Sequence, residues 1–367
     1  MSLIRPLDRS DLPQVAALYE LVVRSGHASP APGLATYFES VLLDQPWADP
    51  EIPSLVHLDG DGRIVAFQGS SVRRARFNGR PIRIACAGQL AAHPDARHRA
   101  VGAALVRAYL DGPQDLTITD TANDRMRRIW TLLGGEMVHL GCIGWLRVLQ
   151  PWQFTTWYAR HHPGGRLASR RRPLQLLDRA TTRWWRPLAP PAKPTTTSET
   201  LTPAGVVEHL DHVGARLRLH LDYDEGYVSW LFAQLTLVGG LGTPVRRLVR
   251  EPDGRVIGWY VYYLQQDAVS QVLQVAAVDR HVGPTLDDLL HHAWRHGAIG
   301  VMGRLEPRLQ TALAERRCRL YPTRYTSLSH SRDKDISAVL ASEQSLLTRL
   351  DGEWWIQDRE VELTGLG

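Results

Sequence analysis

The stretch Gln89-Leu90-Ala91-Ala92-His93-Pro94-Asp95-Ala96-Arg97-His98-Arg99-Ala100-Val101-Gly102-Ala103-Ala104-Leu105 decides the fold. It reads as the end of a buried strand, a short basic turn and the start of a helix. Ile82 to Leu90 is mostly apolar and β-compatible, and Pro94 and Asp95 punctuate. From Ala100 to Leu110 the spacing turns helical, with Val101, Leu105 and Tyr109 on one face. Arg97, His98 and Arg99 crowd the helix start. Free backbone N–H groups and a positive dipole end make a helix N-terminus an anion site. Small side chains at Ala100, Gly102 and Ala103 let a ligand come close to that backbone. Taken alone, the same residues also fit a strand–turn–helix with solvated arginines, so the flanking chain must decide.

Upstream, Leu3 to Leu7 reads as a strand and Ser10 as the cap of a helix running to about Arg24. Leu34 to Leu43 has a second helical pattern. Strands follow at Ser54–Leu58 and Arg63–Val72, and Asn78-Gly79 signals a hairpin into the strand that ends at Gln89. Downstream come a strand at Asp115–Thr119, a helix at Met126–Leu133 closed by Gly134-Gly135, and a strand at Val138–Val148. The order is β-α-α-β-β-β-α-β-α-β.

This order and two motifs resemble the GNAT (GCN5-related) N-acetyltransferase superfamily, which binds acyl-coenzyme A. In that family a Pro precedes an Arg-x-x-Gly-x-Gly turn that cradles a pyrophosphate. Here Pro94 precedes Arg97-His98-Arg99-Ala100-Val101-Gly102, with Ala100 in place of the first glycine. A second family pattern is met by Asn123 and Gly134, while Trp130 and Gly135 depart from it. The resemblance covers about residues 3–149. It implies that Leu90, Ala91 and Ala92 offer backbone to the pantetheine and acyl carbonyl. It implies that Arg97 to Gly102, with Ala103, hold the pyrophosphate, and that Asn123 and Trp130 border the coenzyme, taken as acetyl-CoA or another acyl-CoA. Trp130 replaces the tyrosine that usually serves as acid, and an indole N–H is no practical proton source. Direct attack on the thioester, with Cys142 or water assisting the thiolate, is then expected.

Length and composition agree with two domains. The chain has 367 residues, 44% hydrophobic and 22% charged, with formal net charge +5. A mild basic excess suits an anionic ligand without demanding nucleic acid, and no nucleic-acid motif is present. Cys86, Cys142 and Cys318 have neither disulfide nor metal spacing, which points to a reducing, cytoplasmic setting. Gly226 to Val245 lacks charge but is broken by polar residues and glycines, so it reads as a helix from Tyr227 to Leu237 and a turn, not a membrane span.

Residues 150–199 form a basic connector in which tryptophans interleave with arginines, ending in a Pro/Thr-rich linker. Its part from 157 to 186 reads as a solvated connector or as a contact for an anionic membrane surface. Then the first part is echoed. Asp61-Gly62-Arg63-Ile64-Val65-Ala66 returns as Asp253-Gly254-Arg255-Val256-Ile257-Gly258, and Gln89-Leu90-Ala91-Ala92 as Gln274-Val275-Ala276-Ala277. The expected organisation is therefore α/β (α+β). A GNAT domain spans 1–149, the connector 150–199, a degenerate copy 200–332, and a C-terminal helix and tail 333–367. Each domain should hold a mixed, mostly antiparallel sheet flanked by helices. The copy lacks the basic turn: Arg97 aligns with Val282, Ala100 with Thr285 and Gly102 with Asp287. Asp287 and Asp288 at a helix start would repel phosphate. The tail should carry a helix to about Arg349 and dock Glu353-Trp354-Trp355 on a domain surface.

Candidate proton carriers by location are His93 and Asp120, each of which also reads as a hydrogen-bonded structural residue. Gln89 and Gln274, on the paired central strands, and Tyr223 and Tyr227, at the start of the second domain's helix, face an acceptor or pack in the core. Tyr260 and Tyr262 should share one face of a strand and Tyr263 the other. The function these readings imply is acyl transfer to a small amine or sugar-like acceptor. The alternatives are a Fem-like aminoacyl transferase and a non-catalytic binding protein. An intact coenzyme turn argues against the first, and Trp130 supports the second.

Overall fold

The computed structural model describes residues 3–24, 33–95, 100–161 and 190–356. In the first half the strands are β1 (Leu3–Pro6), β2 (Leu55–Leu58), β3 (Ile64–Phe77), β4 (Arg80–Ala92), β5 (Leu116–Ala122), β6 (Glu136–Met137) and β7 (Ile143–Val148). The helices are α1 (Leu12–Tyr19), α2 (Leu34–Phe38), α3 (Val101–Leu110), α4 (Asp124–Leu132) and α5 (Pro151–His161). The second half contributes β8 (Thr197–Thr200), α6 (Pro203–Gly214), β9 (Leu219–Leu221), α7 (Glu225–Leu237) and β10 (Thr243–Arg250). It continues through β11 (Val256–Leu264), β12 (Val269–Ala277), α8 (Val282–Arg295), β13 (Gly300–Arg304), α9 (Gln310–Glu315) and β14 (Arg319–Pro322). It ends with β15 (Thr326–His330), α10 (Lys334–Leu340) and β16 (Ser345–Leu346).

Local chemistry sets these limits. Asp8, not Ser10, opens the first helical segment, because Asp8 and Asp11 form a reciprocal capping box around a 3-10 turn. β3 runs on to Phe77 because Asn78 (φ 51°) and Gly79 (φ 78°) supply the two left-handed residues of a tight hairpin. Asn123 caps α4 by accepting the Met126 N–H at 3.0 Å.

The fold is mixed α/β, with two mostly antiparallel sheets and flanking helices. The first sheet has the order β1-β2-β3-β4-β5-β15-β6, with β9 against the hairpin end of β3 and β16 against β9. The second has the order β14-β7-β13-β12-β11-β10-β8. Each half lends its last long strand to the other. β7 lies between β13 and β14 of the second sheet, and β15 lies between β5 and β6 of the first. Boundaries at 149 and 332 therefore cut through both sheets. Alternation along a strand reports its faces, not which strand it pairs with, so this exchange is silent in sequence.

The largest core spans both halves. Phe67 and Ile84 of the first sheet pack in one cluster with Tyr227, Trp259 and Tyr263 of the second half and with Trp354 and Trp355 near the end. Tyr260 and Tyr262 point to the opposite face of β11, into a second core with Trp145 and Leu286. A third, smaller core lies beneath α3 and α4 and includes Val106, Tyr109 and Trp130.

The C-terminal stretch departs from its surface expectation. α10 ends at Leu340, and residues 345–356 thread between the sheets, leaving Glu353 and Trp355 each 1% exposed. Large aromatic side chains gain most from burial, and the exchange of strands leaves a seam for them. Fully buried Arg73 holds this strap by donating from Nε to the Asp351 carbonyl at 3.0 Å. Among the described residues no helix is long and apolar enough to cross a membrane.

Candidate active site

The site begins at a β-bulge. β3 and β4 pair in register at Phe67 with Ala91 and next at Gly69 with Gly88, so Gln89 and Leu90 together oppose Gln68. Gln89 takes φ +49° to allow it. Gln68 pins the kink, its Nε2 donating to the Gly69 carbonyl at 2.9 Å and the Gly88 carbonyl at 2.8 Å. A Cβ at position 69 would lie 2.5 Å from Gln89 Oε1, so a larger residue there would push the glutamine side chain aside.

β4 then parts from β5. The two pair in parallel only over Ile84–Cys86 and Leu116–Ile118. Beyond Cys86 the β5 side of β4 has no strand partner among the described residues, and a pocket of about 430 Å³ opens there. Its wall includes Gly88, Gln89, Leu90 and Ala92 from β4, Thr119 and Thr121 from β5, Gly102 and Ala103 from α3, and Asn123, Met126 and Trp130 from the α4 segment. A second hollow, of about 520 Å³, lies between α3 and α4, and shares Ala103 and Ile129 with the first. Together they form an extended groove from the bulge outward between the helices.

Behind the pocket sits Glu353, delivered by the strap. Its Oε1 accepts from Thr119 Oγ1 at 2.6 Å, the Asp120 N–H at 2.8 Å and Thr121 Oγ1 at 2.9 Å. A Cβ on Gly88 would come within 3.2 Å of Glu353 Cγ, so glycine there admits the acid. Glu353 Oε2 and Asp120 Oδ1 are both buried and meet no N–H donor. Burial, and then the neighbouring Asp120, push Glu353 well above the carboxylate range, so Glu353 is the acid that keeps its proton here. Asp120 Oδ2 lies 3.4 Å from Arg304 Nη1.

On the opposite side of Asp120 is a narrow cleft with about 50 Å³ of inner space. Ile118, Val138, Leu140, Leu305 and Leu328 make apolar walls, and Asp120, Arg304 and Glu306 supply charge. Thr119 borders both this cleft and the pocket.

The structure brings Gln89, Leu90, Ala92, Gly102, Ala103, Asn123 and Trp130 to one pocket. Ala91 turns its side chain into the core, 1% exposed. Ala100 precedes α3 with φ −92°, and Val101 opens the helix; neither lines the pocket. Arg97, His98 and Arg99 lie outside the described residues, as does the connector from 162 to 189. Asp120 faces the cleft and Glu353. His93 is half-buried and its Nδ1 accepts the Asp95 N–H at 3.2 Å; it lines neither space.

Three acceptor candidates are core residues instead. Gln274 is 2% exposed, accepts Trp259 Nε1 at 2.7 Å and donates to Tyr223 Oη and Thr348 Oγ1, each at 3.2 Å. Tyr223 donates to Asp351, and Tyr227 stacks on Trp47 at 3.5 Å between centroids. The core-spanning seam explains this, since it covers the face these residues were expected to expose. Cys142 is half-buried against the Val138 carbonyl. Thr119, Thr121, Tyr325 and Glu353 were missed. An acid inside the apolar run Leu350-Asp351-Gly352-Glu353-Trp354-Trp355-Ile356 was the one available signal.

No sequence-family profile matches the chain, and no curated protein matches it in sequence. Solved structures do match its fold. A GCN5-related N-acetyltransferase from Anabaena variabilis superposes with TM-score 0.57 at 10% identity, over 91% of this chain and 74% of the other. One from Kribbella flavida gives 0.54 at 16%, over 91% and 72%. Saccharomyces cerevisiae N-myristoyltransferase with bound myristoyl-CoA gives 0.50 at 11%, over 89% and 77%.

Proposed function

From a fold shared with the GCN5-related N-acetyltransferases, we propose that this chain is an acyl-CoA-dependent acyltransferase, with acetyl-CoA the simplest donor. It passes the acyl group to a nitrogen or hydroxyl of a small acceptor. The observation that carries the reading is the parting of β4 from β5 over a pocket that continues as a groove between α3 and α4. A bulged strand with an unpaired edge offers backbone N–H groups to a carbonyl, and such donors stabilise a developing oxyanion. An extended groove with a helix N-terminus along it fits a long ligand with an anionic end. Buried Gln89 Nε2, without a partner of its own, is a further donor at the bulge.

Bound acyl-CoA would supply an activated thioester. The chain's own residues would do the rest. Leu90 and Ala92 orient the carbonyl through their backbone. Gly102 and Ala103 allow close approach at the first turn of α3, and Arg97, His98 and Arg99 hold the pyrophosphate. Glu353, which keeps its proton beside Asp120, gives that proton toward the sulfur and regains one from the acceptor. Thr119, which lines the pocket and donates to Glu353, is the hydroxyl that links the two. Tyr325 enters the pocket from the residue before β15, where Thr326 is registered against Ala122. It supplies the phenol that Trp130 lacks. Three unpaired cysteines suit a reducing compartment.

Calorimetric titration with acetyl-CoA tests the reading. The wild type should bind, and Gly102→Glu, which places a carboxylate where phosphate would lie, should not. Failure of the wild type to bind both acetyl-CoA and a long-chain acyl-CoA would overturn it.

A further inference from the structure

We propose that the cleft bordered by Asp120 and Glu306 is the acceptor subsite, and that it takes the ammonium end of an unbranched alkylamine in preference to a sugar. The word acceptor rests on the acyltransferase reading; the preference for an alkylammonium rests on the cleft itself.

The first argument is an unpaired acid. Glu306 is 9% exposed and lines the cleft, and among the described residues no hydrogen bond or ion pair reaches its carboxylate. A second acid faces the same space: Asp120 is 8% exposed, with its Oδ2 paired to Arg304 Nη1 at 3.4 Å. Buried carboxylates without donors are costly, and an ammonium group brings three N–H donors and the opposite charge. Arg304 is engaged elsewhere than at Glu306: its Nη2 donates to the Leu347 carbonyl at 2.9 Å, and its Nη1 donates to Asp120 Oδ2 at 3.4 Å.

Shape supplies the second argument. The inner space of about 50 Å³ exceeds the roughly 10–15 Å³ that one water needs, and its apolar walls suit an unbranched chain. Ile118, Leu305 and Leu328 offer a sugar's hydroxyls no partners, whereas they suit a methylene chain. Position supplies the third. The cleft ends at Thr119 and Asp120, both hydrogen-bonded to Glu353, and Thr119 is shared with the donor pocket. An amine seated there lies beside the group proposed to handle its proton.

The state of Glu306 gives the proposal a readout besides activity. Burial raises Glu306 to about 8, against the pull of Arg304, Arg308 and Arg349 and with the push of Asp351. At pH 7 it holds its proton until a cation arrives, so ammonium binding should release about one proton.

The experiment is calorimetry of the full chain without coenzyme, using n-butylamine, n-butanol and glucosamine at pH 7 in buffers of different ionisation enthalpy. n-Butylamine should bind at least about tenfold more tightly than the other two. Glu306→Gln should weaken it about tenfold and abolish proton release. A second variant, Leu140→Trp, fills the cleft and should remove binding while leaving the unpaired acid in place. Equal binding of butanol or glucosamine, or butylamine binding unchanged in Glu306→Gln, would overturn the proposal. Acetyl-CoA titrated into the same preparation separates the two readings. Binding of acetyl-CoA without amine selectivity overturns the subsite alone. Amine selectivity without acetyl-CoA binding overturns the donor reading and leaves the ammonium cleft standing.

Discussion

In the first sheet the strand carrying Gln89 parts from its neighbour over open space; in the second, the strand carrying Gln274 parts from its neighbour but is covered, its Leu273 carbonyl accepting the Leu350 N–H at 3.0 Å and its Ala277 carbonyl accepting from Arg308 at 2.7 Å. The backbone device is the same. β12 pairs with β13 only over Val269–Gln271 and Gly300–Met302, and the β11/β12 ladder slips between Val261 and Tyr262, opposite Gln274. What differs is the filling. Gln274 meets Trp259, Tyr223 and Thr348, whereas Gln89 Nε2 meets nothing. The helix that follows differs too. α8 already begins at Val282, the equivalent of Arg97, whereas α3 begins at Val101. Asp287 and Asp288 therefore lie in the second turn and not at the helix start. Asp287 takes Arg316 at 2.7 Å, and Asp288 accepts Tyr260 Oη at 2.8 Å. A bulge and a splay make a space; the side chains decide whether it becomes a site.

The sharpest way to break this comparison is at the helices. Gly102→Glu should weaken acetyl-CoA binding at least about 100-fold, roughly 3 kcal/mol. Its counterpart Asp287→Ala, which frees Arg316, should leave the affinity within about twofold. A comparable loss from both would mean that the second half also holds the coenzyme. Next in size is Glu353→Gln. With the shape kept and the acid lost, kcat should fall about 100-fold while acetyl-CoA affinity stays within about threefold. An equal fall in both would make Glu353 a structural acid. The conservative Glu353→Asp should recover part of kcat.

Much of the first half was legible because its signals are local. Asn78-Gly79, Asn123 and Gly134 set turns and caps through their own backbone preferences, and the echo at Gln274 located the second central strand. The site was legible only where it is local as well, along β4 and the start of α3. Glu353 stands 234 residues from the threonine it bonds, and no periodicity links the two. The exchange of β7 and β15 was hidden for the same reason, since pairing partners are a tertiary choice. Tyr223 and Tyr227 could be read from sequence either as acceptor-facing or as core residues, and only the seam between the sheets decides for the core.

A smaller effect concerns stability at the paired glutamines. Gln274→Leu leaves the Trp259 N–H buried without an acceptor and should cost about 1–3 kcal/mol. Gln89→Leu removes a donor that has no partner and should change stability by less than about 0.5 kcal/mol. Urea unfolding of the two variants measures the contrast directly. Equal losses would show that Gln89 is as fully engaged as its counterpart.

The smallest expected difference lies in the pH dependence of unfolding, and its sign distinguishes the two sites. In the second half, His292 shares a 2.7 Å hydrogen bond with Tyr262, and burial, then His296, lower it from 6.5 to about 4. Between those values the unfolded chain binds a proton that the folded one refuses, so this site's stability is complete above pH 6.5 and falls as pH drops toward 4. At the open site the direction reverses. Glu306 rises from 4.5 to about 8, so the folded chain keeps a proton that the unfolded one has lost. Stability there falls as pH rises from 4.5 toward 8. His292→Gln should flatten the acid limb of a melting-temperature profile and leave the alkaline limb alone, and Glu306→Gln should do the opposite. If His292→Gln left the acid limb as steep as before, the packed splay would owe nothing to its neutral histidine. The contrast between the two halves would then rest on their cavities alone.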